Sequence, residues 1–250
     1  MRKVAWVAVL LLAGCSTEVP VEPLQTEAVP TQTQEQYEGL EGVVAKIEEA
    51  TNTEVGVALY DGTTLTQAGS LDTLPAWSTI KIPIARAAER HCEYDHATIA
   101  DFTQASIEWS DNDSARALWD CMGDDLEAAK LVGEEIEKAG PHVNVRGAFG
   151  TTSWTFADQA KYAHYLSTRD QSQPVLADMR NITEDQAYGL GQLGVPFKGG
   201  WSDVEEDGSW HTRQLGWIKH VGVAIGARSA DGSYEDTMDA LDQVAEAIAP

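Results

Sequence analysis

Positive charge is scarce in this chain. Its 250 residues hold 17 lysines and arginines against 40 aspartates and glutamates, a formal net charge of -23. Such a surface repels phosphate backbones and anionic membrane surfaces, which argues against a nucleic-acid partner. Cysteine is also sparse, with three in all. Long apolar runs are missing: the run from Val4 to Leu12 is too short to span a bilayer as a mature helix. No G-x-S-x-G, H-E-x-x-H or G-x-x-x-x-G-K-[ST] occurs, so the common serine elbow, zinc helix and phosphate loop are not on offer. With 43% hydrophobic and 23% charged residues, the chain can nevertheless bury a sizeable core.

The N-terminus speaks to compartment. Arg2 and Lys3 precede the apolar run, which ends in Leu12-Ala13-Gly14-Cys15. That ending resembles a bacterial lipobox, which implies a signal peptide over residues 1–14 and lipidation of Cys15. An ordinary signal peptide cut nearby is the alternative, and export follows from either. The expected location is the extracytoplasmic face of a membrane, held by the lipid. Residues 15–39, rich in Pro, Thr, Gln and Glu, read as a flexible tether, and a monomeric domain is expected over 40–250. In an oxidising compartment the remaining Cys92 and Cys121 form either a disulfide or two unpaired buried thiols.

Leu40, Val43, Val44 and Ile47 recur at helical spacing, and Glu54 to Tyr60 alternates up to an Asp61-Gly62 turn with a return strand at 63–68. Helical patterns fill 97–109, 113–122, 125–139 and 155–168, within a helical insertion over about 95–182. Strands are expected near 195–201, 210–218 and 220–228, with a final helix over 234–248. This order predicts an α+β fold: an antiparallel sheet flanked by helices, plus an all-helical subdomain.

Three polar motifs stand out. Ser78-Thr79-Ile80-Lys81 opens a helix, and positions i and i+3 share a face, so Lys81 can reach Ser78 Oγ. A lysine takes a serine proton only if burial or nearby cations lower its pKa. Alone, the pair is equally a cap and a solvated charge. Pro83, in the second turn, calls for a bend there or an irregular first turn. Ser110-Asp111-Asn112 opens another helix and could simply cap it. Lys198-Gly199-Gly200-Trp201 ends a strand and could be a glycine-rich turn.

In this order and spacing, the three resemble the motif set of the serine β-lactamase and penicillin-binding protein superfamily, class A in particular. The resemblance covers residues 40–250 and implies roles residue by residue. Ser78 would be the acylated nucleophile and Lys81 its proton partner. Ser110 would relay a proton to the leaving group, Asn112 would orient the substrate amide, and Lys198 would supply positive charge. Gly200 and Trp201 would border the substrate, with the Ser78 and Trp201 N–H groups as an oxyanion hole. The implied substrate is a β-lactam or cell-wall-peptide-like compound, with no cofactor and no metal.

Two departures qualify what is implied. Gly199 stands where the family carries Thr or Ser, so a hydroxyl for the substrate carboxylate is missing; Arg213 on the next strand could replace it, or be an exposed strand arginine. The stretch Gly140 to Thr152, where the family has a glutamate-bearing loop for deacylation, is short and contains no carboxylate. A serine hydrolase with poor deacylation is therefore expected, and the alternative is a catalytically silent scaffold that binds a wall peptide or protein. Gly189 to Gly194 matches G-x-G-x-x-G, but no strand precedes it and Pro196 blocks a following helix. His91, Cys92, Asp95 and His96 read as a solvated helix end. Trp154, Trp201, Trp210 and Trp217 read as core or cleft wall.

Overall fold

The computed structural model describes Tyr37 and residues 39–147 and 149–250. The signal segment 1–14 and lipidation at Cys15 lie outside the described residues, as does the tether apart from Tyr37 and Gly39. Tyr37 departs from the expected tether. It is 7% exposed and packs with Leu40 and Val44, so the core begins by Tyr37. No helix among the described residues is long and apolar enough to cross a membrane.

Alternation builds the sheet. Strands β1 (Glu54–Tyr60), β2 (Leu65–Ala68), β5 (Phe197–Val204), β6 (Ser209–Ile218) and β7 (Val221–Ser229) pair antiparallel in the order β2-β1-β7-β6-β5. The turn after β1 is wider than a two-residue hairpin. Asp61 Oδ1 accepts from both Thr63 N and Thr64 N, and β2 starts at Leu65 instead of residue 63. Val55, Val57, Val223 and Ile225 face helices α1 (Leu40–Thr51) and α8 (Tyr234–Ile248), meeting Val44, Ile47, Leu241 and Val244. On the other face Gly56 and Gly226 lie under the Phe156 ring of α6 (Phe156–Ser167), where an added Cβ would come within 2.3 Å and 2.6 Å of it. The glycines let α6 lie close against the sheet.

The helical part comprises α2 (Lys81–His91), α3 (His96–Glu108), α4 (Asn112–Asp120), α5 (Asp125–Glu137) and the short α7 (Pro174–Asp178) around buried Ile84, Ile107, Leu118, Trp119, Val132 and Ile136. Their starts follow capping chemistry. Asp95, Asp111 and Asp124 each accept backbone N–H bonds at the N-termini of α3, α4 and α5. The sequence patterns miss α7 and a small ribbon of β3 (Thr73–Pro75) and β4 (Ser153–Thr155). Three-residue strands carry too little alternation to be recognised.

Cys92 and Cys121, which follow α2 and α4, are joined by a disulfide with Cα atoms 5.2 Å apart. Cross-linking a loop of 29 residues restricts the unfolded chain and is worth about 3–4 kcal/mol in the chain-entropy model. Cys92→Ser with Cys121→Ser is therefore expected to lower the urea unfolding free energy by about that amount. An unchanged midpoint would show that the bridge constrains nothing.

Candidate active site

The Ser78 segment is a turn before it is a helix. Trp77 has φ 45°, Trp77–Ile80 is a 3-10 turn, and α2 starts only at Lys81. The irregular first turn is the consequence of Pro83 that occurs. At the third position of α2 its missing N–H has no intrahelical acceptor to lose. Several contacts fix the turn: Gln159 Nε2 of α6 donates to Thr79 Oγ1 at 2.8 Å, Thr79 Oγ1 donates to Ala76 O, and Ala76 N donates to Thr152 O at 2.7 Å.

Lys81 is hydrogen-bonded to partners other than the one that helical spacing offers it. Its Nζ donates to Ser110 O at 2.5 Å, Asn112 Oδ1 at 2.7 Å and Ser110 Oγ at 3.3 Å. No hydrogen bond joins it to Ser78 Oγ among the described residues. Ser110 has φ 59°, a left-handed conformation uncommon for serine, which aims both its carbonyl and its hydroxyl at the amine. Asp111 is the cap of α4, so the two readings of Ser-Asp-Asn coexist: Asp111 caps the helix while its neighbours bind Lys81.

Lys198 approaches from the sheet. It is fully buried, donating to Ser110 Oγ at 3.0 Å and to Gly199 O at 2.9 Å. Two amines thus meet one hydroxyl, and Lys81 disfavours the charged form of Lys198. Burial holds the Lys81 ammonium down at about 8, against Asp111, which favours its charge. Burial first, and Lys81 second, push Lys198 well below the ordinary lysine value. A neutral amine able to accept a proton is therefore accessible near neutral pH.

Lys81 borders a cleft of about 390 Å³ whose walls also include Ser78, Asn112, Trp77, Trp201 and Phe149, whereas Ser110 and Lys198 lie behind the lining. Among the described residues that line it, none is an aspartate or glutamate. The stretch 140–152 contributes Gly147, Phe149, Gly150 and Thr151 to the wall. Sequence reasoning missed Trp77, Phe149 and Arg116 as lining residues. Only the position of Trp77, directly before Ser78, could have drawn attention to it.

Gly200 sets the approach of β5. A Cβ there would lie 2.6 Å from Ser78 N and 3.0 Å from Trp77 Cβ. Gly200→Ala must push the edge strand off the Ser78 turn, and it is expected to cost about 1–3 kcal/mol of stability. Acylation should fall with it. A variant of wild-type stability and reactivity would show that the close approach is unimportant.

Arg213 corrects the sequence expectation. It is fully buried, and its guanidinium donates to Leu74 O, Pro75 O and Trp154 O while lying 4.8 Å from the centre of the Phe156 ring. It does not line the cleft and is not an exposed strand arginine. Burial lowers its pKa to about 9. With no carboxylate beside it, three carbonyl dipoles take that place, and Arg213 clamps the β3–β4 ribbon just before Ser78. The G-x-G-x-x-G stretch is a 3-10 segment whose Leu190 N donates to Gln214 Oε1. Cys92 is in the disulfide, and Asp95 caps α3. Trp154 and Trp217 are core residues.

No protein-family model matches the sequence, and no curated protein is similar to it. Solved structures are similar in shape. A class A β-lactamase from Bacteroides cellulosilyticus superposes with a TM-score of 0.65 at 14% identity, covering 84% of this chain and 96% of that one. The TLA-3 extended-spectrum β-lactamase gives 0.66 at 15% identity over 84% and 97%. A β-lactamase from Xanthomonas campestris gives 0.62 at 16% identity over 86% and 97%. At such identities the likeness concerns architecture alone: the chain has the fold of these β-lactamases.

Proposed function

We propose that this chain is an exported serine acyl-enzyme hydrolase of the cell envelope, anchored through lipidated Cys15, that acylates readily and deacylates slowly. The observation that carries the reading is Ser110 Oγ held between the Lys81 and Lys198 amines, beside the cleft that Ser78 and Lys81 line. Ser78 Oγ attacks a carbonyl carbon and its proton passes to the neutral Lys81 amine. The N–H groups of Ser78 and Trp201 receive the oxyanion, which such donors stabilise by about 3–4 kcal/mol each. As the tetrahedral intermediate collapses, the leaving nitrogen or oxygen takes a proton from the Ser110 hydroxyl, which regains one from Lys81. Asn112 and Trp201 border the acyl group, and Lys198 keeps Ser110 oriented. Water then has to split the ester. Among the described residues the cleft lining has no carboxylate to activate it, so the acyl-enzyme accumulates. The solved structures of like fold are named as β-lactamases, which makes β-lactams the first compounds to try.

Intact-mass spectrometry of the soluble domain, with a β-lactam panel and a fluorophosphonate probe, tests the reading. A persistent adduct on wild type and none on Ser78→Ala is expected. Absence of an adduct with every probe, together with equal binding of cell-wall fragments by both proteins, would replace it with a silent scaffold. Mass analysis of the membrane-bound form checks Cys15: without a lipid on that residue the anchoring proposal fails.

A further inference from the structure

We infer that the cleft selects uncharged substrates with an aromatic or apolar acyl group and discriminates against carboxylate-bearing ones. This rests on the reading of Ser78 as the acyl acceptor.

The first argument is where the cations are. Lys81 is held by Ser110 O and Asn112 Oδ1, and Lys198, with no exposed surface, by Ser110 Oγ and Gly199 O. Arg213 is buried among three carbonyls. Arg116 does line the cleft, but its guanidinium is paired with Asp120 at 2.7 Å and Asp125 at 3.2 Å. Arg146 is exposed and is not part of the lining. Among the described residues, Lys81 and Arg116 are the cations of the lining and both already have acceptors, so neither is free to take a substrate carboxylate bidentately.

The second argument is the rim. Trp201 and Ser202 line the cleft, and the strand continues into Asp203, Val204, Glu205 and Glu206. Asp203, Glu205 and Glu206 are exposed, and Arg228, the cation at this hairpin, is taken by Asp207 and Glu54. An anion arriving over this edge meets like charge. The third argument is the wall itself. Trp77, Phe149 and Trp201 line the cleft together with Ser78, offering apolar area and ring faces to an acyl group.

For an ester substrate the chemistry balances simply. The Ser78 oxygen bonds the acyl carbon, the ester C–O bond breaks, and the leaving phenol takes the proton that Ser78 lost. Water then releases a carboxylic acid and restores the serine.

The test uses two phenylacetyl esters of matched size, one of 3-hydroxybenzamide and one of 3-hydroxybenzoate, together with the acetyl ester of 3-hydroxybenzamide. The benzamide ester is expected to acylate wild type about tenfold faster than the benzoate ester, a gap of about 1.4 kcal/mol that narrows in high salt. Glu205→Lys with Glu206→Lys should narrow it too. Trp201→Ala should reduce the preference for phenylacetyl over acetyl by about three- to tenfold. Equal rates for the two phenylacetyl esters, or a faster benzoate ester, would overturn the inference while fluorophosphonate labelling of Ser78 still supports the hydrolase. Failure of that labelling would overturn both.

Discussion

Lys81→Met is expected to lower the rate of Ser78 acylation by about 10²–10⁴-fold, the usual contribution of a positioned general base. The variant also removes a pH dependence. Burial holds Lys81 at about 8, and only the neutral amine accepts a proton. Wild-type acylation should therefore rise about tenfold per pH unit up to about 8 and level off above it. The residual rate of Lys81→Met should lack that limb. A wild-type profile flat between pH 6 and 9 would remove Lys81 from the role of base.

Stability should also respond to pH. Because the folded-state pKa lies below the unfolded one, the unfolded chain binds the extra proton between about 8 and 10.5, and wild-type stability rises with pH across that window. The rise is on the order of 3 kcal/mol, since each tenfold difference in proton affinity between the two states is worth about 1.4 kcal/mol. Lys81→Met should lack this part of the rise, while keeping what buried Lys198 contributes with the same sign. Urea unfolding of both proteins at pH 7 and pH 10 measures the difference directly.

Glu135→Leu is expected to destabilise the protein by about 3–5 kcal/mol, a large part of a typical domain's margin. Glu135 is 1% exposed and is the anion of a buried cluster. Its Oε1 accepts from Arg86 Nε at 2.6 Å, and its Oε2 accepts from Lys138 Nζ at 2.6 Å and from Arg90. Arg86 and Arg90 belong to α2, the helix that starts at Lys81, and Glu135 belongs to α5, so the cluster seats the helix carrying the amine. Removing the carboxylate leaves the buried Arg86 guanidinium with Gln173 Oε1 as its other side-chain acceptor. Burial alone would raise the Glu135 pKa, but Lys138, Arg86 and Arg90 more than offset it and hold it below the ordinary value. The stabilisation is therefore complete above the unfolded carboxylate pKa and is lost as pH falls through the folded one. Thermal unfolding should show the gap between wild type and variant closing on acidification. Arg86→Met added to Glu135→Leu should recover part of the loss, because the lone buried charge is gone. No recovery would assign the effect to packing.

Whatever depends on neighbours along the chain was legible in the residues alone. Alternation in residues 54–60 and the Gly- and aromatic-rich character near 195–201, 210–218 and 220–228 placed the strands, and apolar spacing placed α1, α3 to α6 and α8. Ser110-Asp111-Asn112 marked the start of α4. The serine, lysine and asparagine of three separated motifs were legible as a candidate constellation because their order is itself a sequence property. Local periodicity sets which face a side chain occupies, and that is all these readings need.

Packing chose the partner that each polar group found. Helical spacing offers Lys81 the hydroxyl of Ser78, but its amine goes to Ser110 and Asn112, about thirty residues away, because burial makes unmet hydrogen bonds expensive and those acceptors are aimed at it. Arg213 was open to a substrate carboxylate, but it lies beneath the β3–β4 ribbon and takes carbonyls from Leu74, Pro75 and Trp154. The contact of Gly200 with the Ser78 backbone and the bond of Lys198 to Ser110 Oγ exist only once β5 lies against these two turns. Desolvation and long-range juxtaposition have no local signature, so the reactive geometry of this cleft is a property of the packed chain.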